Sequence, residues 1–406
     1  MHLHFDTALV ASTRFVRHFL PHKLTPQMKE LFVSVWIQSF ALAAVSLFEP
    51  IYLYTLGYPV YAIMLFYCAV YVVYFFLIPL GGKFVKRKGF AHGMVFGSFF
   101  LVLYYIFLFE IPHSSGFLYL AVIAYALQKM FFWPAFHGDF VFFGKSAEEG
   151  RELGIMQVIA SLVVILGPLF GGFVIALFGF QALFIVVVLL ILLSNVPLFL
   201  TKEVFVPSGL EYKECYRELF TKEHRRQTIG LIGYGEELVW QFAWPIFAYV
   251  VLTNIVGLGT LVATSTVISS MVLLYVGRIA DRKNENHIMR TGIYLYISSW
   301  VLRIFSMTGI WILISDTFSR MVRYPVQLPI TVEVYRDALK SKHVIKSVIR
   351  FEMGLAIGKI LAAMSVAAMF YFGGGHWNLV FLLGGLFSLL YLSLIHRGIK
   401  ITPNTV

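Results

Sequence analysis

The sequence predicts an all-α membrane protein with 12 transmembrane helices. Of its 406 residues, 59% are hydrophobic and 13% are charged, and the mean hydropathy is +0.80. A soluble domain cannot bury that much apolar surface. The apolar residues recur in stretches of roughly 20, long enough to cross a hydrocarbon core of about 30 Å as helices. These stretches lack the alternating pattern that is typical of membrane β-barrels.

Hydropathy places the twelve spans along the whole chain. In order they cover 28–48, 59–80, 91–110, 117–136, 153–177, 180–200, 227–252, 258–277, 287–306, 309–329, 351–372 and 378–396. An even number of spans puts both chain ends on the same side of the membrane. Residues 1–26 mix apolar and basic side chains without a cleavable signal pattern. We expect a short interfacial segment there, with a disordered tail as the alternative.

Basic residues indicate which side faces the cytoplasm. The loops that follow the odd-numbered spans contain no Lys or Arg, whereas those after the even-numbered spans are rich in both, for example 83–88 and 202–226. By the positive-inside rule, both termini are cytoplasmic. The net charge of +11 then reflects contact with anionic lipid headgroups and not with nucleic acid. We expect a multi-pass protein of the cytoplasmic membrane.

The two halves of the chain resemble each other. Matching pairs occur in chain order, namely Pro50 with Pro245, Gly82 with Gly277, Lys129 with Arg320, Pro134 with Pro325, and Glu152 with Glu352. Parallel repeats of six spans are typical of transporters whose site lies near the midplane between the halves. We therefore divide the chain into the segment 1–26, a six-helix bundle at 27–200, a cytoplasmic linker at 201–226 and a second bundle at 227–406.

This arrangement resembles the major facilitator superfamily of transporters. That family carries a loop motif, G-x-[Leu/Ile]-x-D-R-x-G-[basic], after the second and eighth spans. Gly277, Asp281 and Arg282 fit it in the second half. In the first half Gly82, Arg87 and Gly89 fit it, but Lys86 replaces the acid. The resemblance implies gating by Asp281 through ion pairs at the helix ends. The alternative is that these basic residues only anchor the topology.

The fifth span contains the run LGPLFGGF, with Gly167, Pro168, Gly171 and Gly172. It resembles the antiporter signature of drug-exporting members of that superfamily, which favours efflux. Gly and Pro at these positions could bend the helix as the halves move. Ordinary packing through small residues is the alternative.

Charged residues inside the spans are the candidate functional groups, because each costs roughly 2.5–3.5 kcal/mol at the membrane centre. They are Lys129, Glu236, Glu237, Arg303, Asp316, Arg320, Arg323 and Lys359. Arg303 and Asp316 flank the turn near Thr308 at similar depth, so we predict a structural ion pair between them. Glu49 and Glu110 lie at outer span ends, where water should reach them.

The remaining charges fall on the spans that line the central cavity in the resembled family. Lys359 and Glu236 both lie about 13 Å from the cytoplasmic edge. We therefore expect Glu236 or Glu237 to face Lys129, Lys359 and Arg320 across a cavity. Gln38, Trp240 and Trp244 are further candidates for its lining.

Only one of the adjacent glutamates can point into the cavity, because neighbouring residues of a helix differ by about 100°. Glu236 shares a face with Trp240, and Glu237 with Gln241 and Trp244. The sequence does not choose between them. Since a buried carboxyl group binds a proton readily, we expect one glutamate to couple transport to protons or to bind a cationic group. The alternative is a lock to Lys359 or Lys129 that specifies packing.

These observations predict a secondary active transporter that moves a small solute by alternating access, coupled to protons and directed to efflux. The alternative is a facilitator or importer of a sugar or organic anion. We expect an anionic or amphipathic substrate, membrane lipids as neighbours, a monomer, and neither cofactor nor metal, since the two cysteines and scattered histidines match no ligand spacing. A membrane enzyme of lipid-linked transfer is disfavoured, because the outer loops are short and lack a carboxylate pair.

Overall fold

The structure is a computed structural model of the chain that describes residues 26–143, 149–200, 211–280, 285–340 and 344–395. These ranges contain helices and no β-strand, which confirms the predicted all-α class. Residues 1–25 of the proposed interfacial segment lie outside the described residues. Asp281 and Arg282 of the predicted gating motif also lie outside them.

The helices follow the predicted spans. The first bundle consists of α1 (Pro26–Val45), α2 (Glu49–Thr55), α3 (Val60–Lys88), α4 (Phe90–Glu110), α5 (Gly116–Phe143) and α6 (Glu149–Ser194), followed by a 3-10 turn at Pro197–Leu200. A short helix, α7 (Tyr212–Leu219), lies in the predicted linker. The second bundle begins with α8 (Arg225–Ile232), α9 (Gly235–Leu238), a π-helical turn at Val239–Ala243 and α10 (Trp244–Leu252). It continues with α11 (Ile255–Ala280), α12 (Glu285–Arg303), α13 (Gly309–Lys340), α14 (Val344–Phe372), α15 (Trp377–Leu389) and α16 (Leu392–Ile395).

Eight helical stretches among the described residues are long and apolar enough to cross a membrane. The predicted spans 7, 9 and 10 are not among them. The seventh is interrupted at several points, and the ninth and tenth carry Arg303, Asp316, Arg320 and Arg323. The helices that depart from the apolar pattern are thus the ones that hold most of the charges in the second bundle.

The predicted fifth and sixth spans form one continuous element, α6. Within α6 the backbone leaves the helical region only at Gly179, with φ 84° and ψ 174°, a conformation that glycine adopts at little cost. The dihedral angles therefore stay helical at Gly167, Pro168, Gly171 and Gly172, where we predicted a bend. These small residues pack instead against α1 and α11.

Helix packing repeats between the two bundles. In the first bundle, α1 packs on α6, α4 on α5, and α3 on α5. The second bundle has the corresponding contacts of α9 with α14, α12 with α13, and α11 with α13. Between the bundles, α3 packs on α14 and α6 packs on α11. These contacts follow the order of the sequence repeat, while the exact bundle boundaries stay a prediction.

The bundles also meet at both ends of the space between them. On the predicted outer side, α2 contacts α10, and on the predicted cytoplasmic side, α5 contacts α13 and α14. Helix α7 of the linker touches both α3 and α14. Its Tyr216 hydroxyl donates to the Phe76 carbonyl at 3.0 Å, and its Glu218 lies 2.6 Å from Lys346.

Large apolar side chains cover the outside of the protein. Phe173, Leu177, Phe178 and Leu189 are each more than half exposed. An apolar surface of this extent is unfavourable in water and suits a surrounding of lipid tails. The fold thus places its polar groups inside and between the bundles.

Gly171→Ala should destabilise the protein. The added Cβ would lie 1.9 Å from the Ala44 carbonyl oxygen of α1. Because a backbone carbonyl cannot rotate away, the helices must separate, which we expect to cost about 1–3 kcal/mol. Thermal unfolding of the purified protein in detergent measures this loss.

Gly385→Ala is the matched control. Its Cβ would lie 3.6 Å from the Trp300 Cβ, an ordinary contact distance, and alanine is the better helix former by roughly 1 kcal/mol. The control should unfold at the parental temperature or above it. An unchanged melting temperature for Gly171→Ala would contradict the close packing of α1 on α6.

Candidate transport site

The predicted seventh span is broken beside its two glutamates. Helix α8 ends at Ile232, α9 begins at Gly235, and the π-helical turn starts at Val239. A Cβ on Gly235 would lie 2.6 Å from the Gly358 carbonyl oxygen. Only the absence of side chains at both positions lets α9 and α14 approach this closely. The contact places Glu237 beside Lys359, the residue after Gly358.

Glu236 lies inside the second bundle and not in a cavity. Its side chain is fully buried. The hydroxyl of Tyr296 on α12 donates to Oε2, and Gln327 Nε2 on α13 donates to Oε1 at 3.0 Å. The Tyr391 hydroxyl also donates to Oε1, at 3.2 Å. Glu236 therefore links the helices of its own bundle.

Glu237 points toward the interface between the bundles, and 27% of its side chain is exposed. Its Oε2 lies 2.8 Å from Lys359 Nζ on α14. Its Oε1 lies 3.4 Å from Arg323 Nη2 on α13. Of the two glutamates, Glu237 is the one that a solute between the bundles could reach.

Arg323, to which the sequence assigned no role, connects the two glutamates. Its Nε lies 3.6 Å from Glu236 Oε1, and its guanidinium lies 4.1 Å from the ring of Trp240. In a regular α-helix Trp240 would share a face with Glu236. Glu236 and Trp240 both contact Arg323, although a π-helical turn begins at Val239.

Lys129 of the first bundle faces the same interface. Its ammonium lies 4.1 Å from the ring centroid of Tyr125 and 5.3 Å from that of Tyr71. Lys359 of the second bundle lies 5.1 Å from the same Tyr71 ring. Among the described residues, no carboxylate lies within 4.0 Å of Lys129. Tyr71 thus has one lysine of each bundle beside it, and only Lys359 is neutralised by contact.

A cavity of about 180 Å³ lies between the bundles next to this group. Trp240, Gln241, Trp244 and Arg320 line one side, and Pro168 of α6 lines another. Most of the other lining residues are aliphatic side chains of α1, α6, α10 and α11. The cavity is therefore apolar, with a few polar groups, as is common for small-molecule sites.

Arg303 and Asp316 form the predicted ion pair, but Asp316 lies closer to Arg320. Arg303 Nη2 is 3.9 Å from Asp316 Oδ1, whereas Arg320 Nε is 2.7 Å from Asp316 Oδ2. The Arg303 guanidinium lies between the rings of Trp244 and Trp300, 4.3 Å from each centroid. Trp244 also donates to Asp316 at 3.1 Å. Arg320 and Trp244 thus reach the cavity while bound to a buried aspartate.

Two expectations about side-chain placement are not met. Gln38, expected in the cavity, contacts Ser98 at 3.4 Å inside the first bundle. Glu49, expected to reach water, is 2% exposed. The hydroxyls of Tyr104 and Tyr105 donate to it at 3.2 and 2.5 Å. The covering tyrosines come from α4, and spacing along the sequence could not place them.

The described part of the gating motifs lies at helix ends. Arg87 is exposed in the last turn of α3, Gly89 (φ 94°) follows that helix, and Gly277 lies in the last turn of α11. Gly82 is buried, but the closest helix approach occurs at Gly81, where a Cβ would lie 1.9 Å from the Met130 carbonyl oxygen. Gating by these residues stays a prediction.

Comparison with known proteins identifies the fold. The family model of the Major Facilitator Superfamily matches residues 31–232. The chain is similar to the solved structure of the POT family transporter PepTSo, with a TM-score of 0.68, 12% identity, and coverage of 92% of this chain and 97% of that one. It is also similar to a D-xylose-proton symporter, with a TM-score of 0.65, 12% identity, and coverage of 91% and 96%. No curated protein matches the chain.

The family match, together with the helical membrane fold, defines a transporter. The chain belongs to the major facilitator superfamily. At this level of identity, the likeness to the solved structures concerns the fold, and the chemistry of the site must be argued from the residues of this chain.

Glu236→Gln should destabilise the second bundle. The change removes the charge that Arg323 and the three hydrogen-bond donors face in a fully buried position. Removal of one partner of a buried ion pair typically costs about 3–5 kcal/mol. We expect a loss in that range in the unfolding free energy, measured by chemical unfolding in detergent.

Glu110→Gln provides the comparison at an accessible position. Glu110 pairs with His113 at 3.1 Å at the end of α4, where both side chains are exposed. Exposed ion pairs contribute about 0–1 kcal/mol, so this variant should match the parent closely. If both variants lose the same unfolding free energy, Glu236 is not the glutamate that stabilises the second bundle.

Proposed function

We propose that the protein is a secondary active transporter that couples movement of a small anionic solute to protons through Glu237. The observation that carries this proposal is the contact of Glu237 with Lys359 at 2.8 Å. Across Tyr71 lies Lys129, which no carboxylate contacts in the described part of the chain. The D-xylose-proton symporter of similar fold supports proton coupling as a property compatible with this architecture.

The coupling follows from competition for Lys359. While Glu237 is ionised, it neutralises Lys359, and Arg323 adds a second contact at 3.4 Å. A protonated Glu237 no longer neutralises the lysine, because the attraction depends on the carboxylate charge. An anionic group of the solute can then bind between Lys359 and Lys129. The proton and the anion occupy the site together, so the two are transported in the same direction as a symport.

The rest of the solute would occupy the adjacent cavity. Its wall includes two indoles, two prolines and aliphatic side chains, with Ser46, Gln241 and Arg320 as polar groups. Such a lining favours an apolar or aromatic body. We therefore propose an amphipathic substrate in which one anionic group is joined to a small apolar part.

The direction of transport is a separate question. The glycine motif of α6 leads us to expect export, but its residues pack against α1 and α11, and that packing serves either direction. Efflux therefore stays an expectation. We further propose that the protein lies in the cytoplasmic membrane with both termini in the cytoplasm, from the distribution of basic residues between the loops. A monomer stays an expectation.

A facilitator without proton coupling is the second candidate. It is favoured by the same contact, since Glu237 bound to both Lys359 and Arg323 could act as a permanent lock. In that case the anion would bind Lys129 alone. The two candidates differ in whether protons move with the anion.

Glu237→Gln should abolish the proton movement that accompanies anion transport, while the anion itself still crosses the membrane. Proteoliposomes containing pyranine would report lumenal pH, with benzenesulfonate and phenyl phosphate as probes, since charged anions of this kind do not carry protons through lipid unaided. In the parent, a probe anion that the protein binds should acidify the lumen when it is added on the acidic side of the membrane. In the variant this proton movement should disappear, because the amide cannot bind and release a proton.

Glu110→Gln serves as the control, because Glu110 lies at an exposed helix end. Retention of parental acidification by Glu237→Gln would contradict coupling through this residue. Anion uptake without acidification in the parent itself would favour the facilitator.

Lys129→Gln should weaken anion binding. A charge-assisted hydrogen bond contributes about 1.5–3 kcal/mol, so we expect the Kd for a probe such as phenyl phosphate to rise at least about tenfold. Calorimetric titration of the purified protein measures this change.

Lys88→Gln is the matched control, since Lys88 is exposed at the end of α3. Its Kd should equal that of the parent. Parental affinity in Lys129→Gln would exclude Lys129 from the anion site.

A further inference from the structure

A second polar group connects the bundles on the predicted cytoplasmic side of the candidate site. His137 of α5 lies with its Nε2 2.9 Å from Glu352 Oε1 of α14. The Tyr74 hydroxyl of α3 donates to Glu352 Oε2 at 2.9 Å. The other imidazole nitrogen of His137, Nδ1, lies 2.6 Å from the Tyr335 hydroxyl of α13. The four side chains come from four helices, two in each bundle.

Aromatic side chains keep this group away from water. The ring of His137 stacks on Trp133 with centroids 5.3 Å apart, and Phe351 meets its edge at 5.8 Å. His137 is 8% exposed and Glu352 is 5% exposed. A charge in such surroundings needs a direct partner.

Few other ionisable groups face the pair. Tyr74 comes from α3 and Tyr335 from α13, while α4 places the ring of Phe90 beside Gly138. On α14, Lys359 lies about 10 Å further along the helix axis. Of the described residues, His137 is the only basic side chain within 4.0 Å of Glu352. The charge of the carboxylate is thus balanced by contact only when the imidazole is protonated.

The geometry points to a proton-binding latch, formed by His137 and Glu352, that holds the two bundles together on the predicted cytoplasmic side. With one shared proton the pair is neutral overall, as imidazolium with carboxylate or as imidazole with carboxylic acid. Loss of that proton leaves one buried negative charge, which separation of the bundles exposes to water. Loss of the shared proton therefore releases the latch, so the latch is closed at lower pH and is released as pH rises.

This inference goes beyond the proposed coupling at Glu237. It rests on one part of the proposed function, alternating access, because opening of the cytoplasmic side requires α5 to separate from α13 and α14. The pair is not part of the anion site, because Lys129 and Lys359 lie further into the membrane. Its test needs no transported solute.

Distance measurements between spin labels test the latch. Labels at Lys88→Cys, at the end of α3, and Leu339→Cys, near the end of α13, report bundle separation, because both positions are exposed. The buried Cys68 and Cys215 are replaced by alanine in a chain of unchanged melting temperature. In the parent, the ratio of short to long distances should rise as pH falls from 8 to 6, by at most about tenfold per pH unit for one proton.

His137→Gln and Glu352→Gln should each remove this pH dependence, because neither variant can place an imidazolium against a carboxylate. His113→Gln is the control, since His113 is exposed at the other side of the membrane and should leave the slope unchanged. A parental slope in His137→Gln, or no slope in the parent, overturns the inference. If one variant fails to fold, the other decides by the same criterion.

Glu237→Gln with the same labels separates this inference from the proposed function. If the latch responds to protons by itself, the variant keeps the parental slope even though it has lost coupled transport. Loss of the slope in Glu237→Gln alone, with His137→Gln unaffected, would assign the pH response to Glu237 and refute the latch. Retained coupled transport in Glu237→Gln, with a flat response in His137→Gln, would refute the proposed function and leave the latch in place.

Discussion

The balance of charge around Arg323 is the constraint on which the second bundle depends. Arg323 lies 3.6 Å from Glu236 and 3.4 Å from Glu237, and Lys359 lies 2.8 Å from Glu237. Since each charge at this depth is costly without a partner, removal of one leaves another uncompensated. The charges come from α9, α13 and α14, so their pairing also fixes how these helices pack. The close approach of Gly235 to Gly358 is the local feature that makes the pairing possible. One glutamate holds the bundle together, and its neighbour faces the other bundle.

The two bundles share a packing order but not a charge distribution. In the first bundle the buried Glu49 is bound by tyrosines, and Lys129 lies against aromatic rings. In the second bundle, acids and bases are in direct contact. The interface therefore has a balanced surface on one side and an unbalanced positive charge on the other. An anion that entered between them would neutralise Lys129, so the proposed preference for anions comes from the first bundle.

The sequence was sufficient for the all-α membrane fold, and it predicted Glu237, Lys359 and Lys129 on helices that the structure packs together. It could not choose between Glu236 and Glu237, because the choice depends on the break between α8 and α9 and on the packing of α9 against its neighbours. It also placed Glu49 in water, since the tyrosines that cover it belong to another helix. His137 and Glu352 are more than two hundred residues apart, so spacing gave no signal for their contact. Periodicity and depth can be read from one helix at a time, whereas contacts between bundles require the assembled fold.

The candidate site and the latch share the contact between α3 and α14. Tyr71 of α3 lies beside Lys129 and Lys359, and Tyr74, one helical turn further, donates to Glu352. Glu352 and Lys359 are two turns apart on α14 and therefore lie on the same face. Coupling between two sites requires an element with two arrangements that both sites bias. We propose that the α3–α14 contact is this element, because any movement that parts these helices near Glu352 also changes the distance from Tyr71 to Lys359. Protonation at one position can thus act on the other through rigid helices, without a chain of polar groups between them.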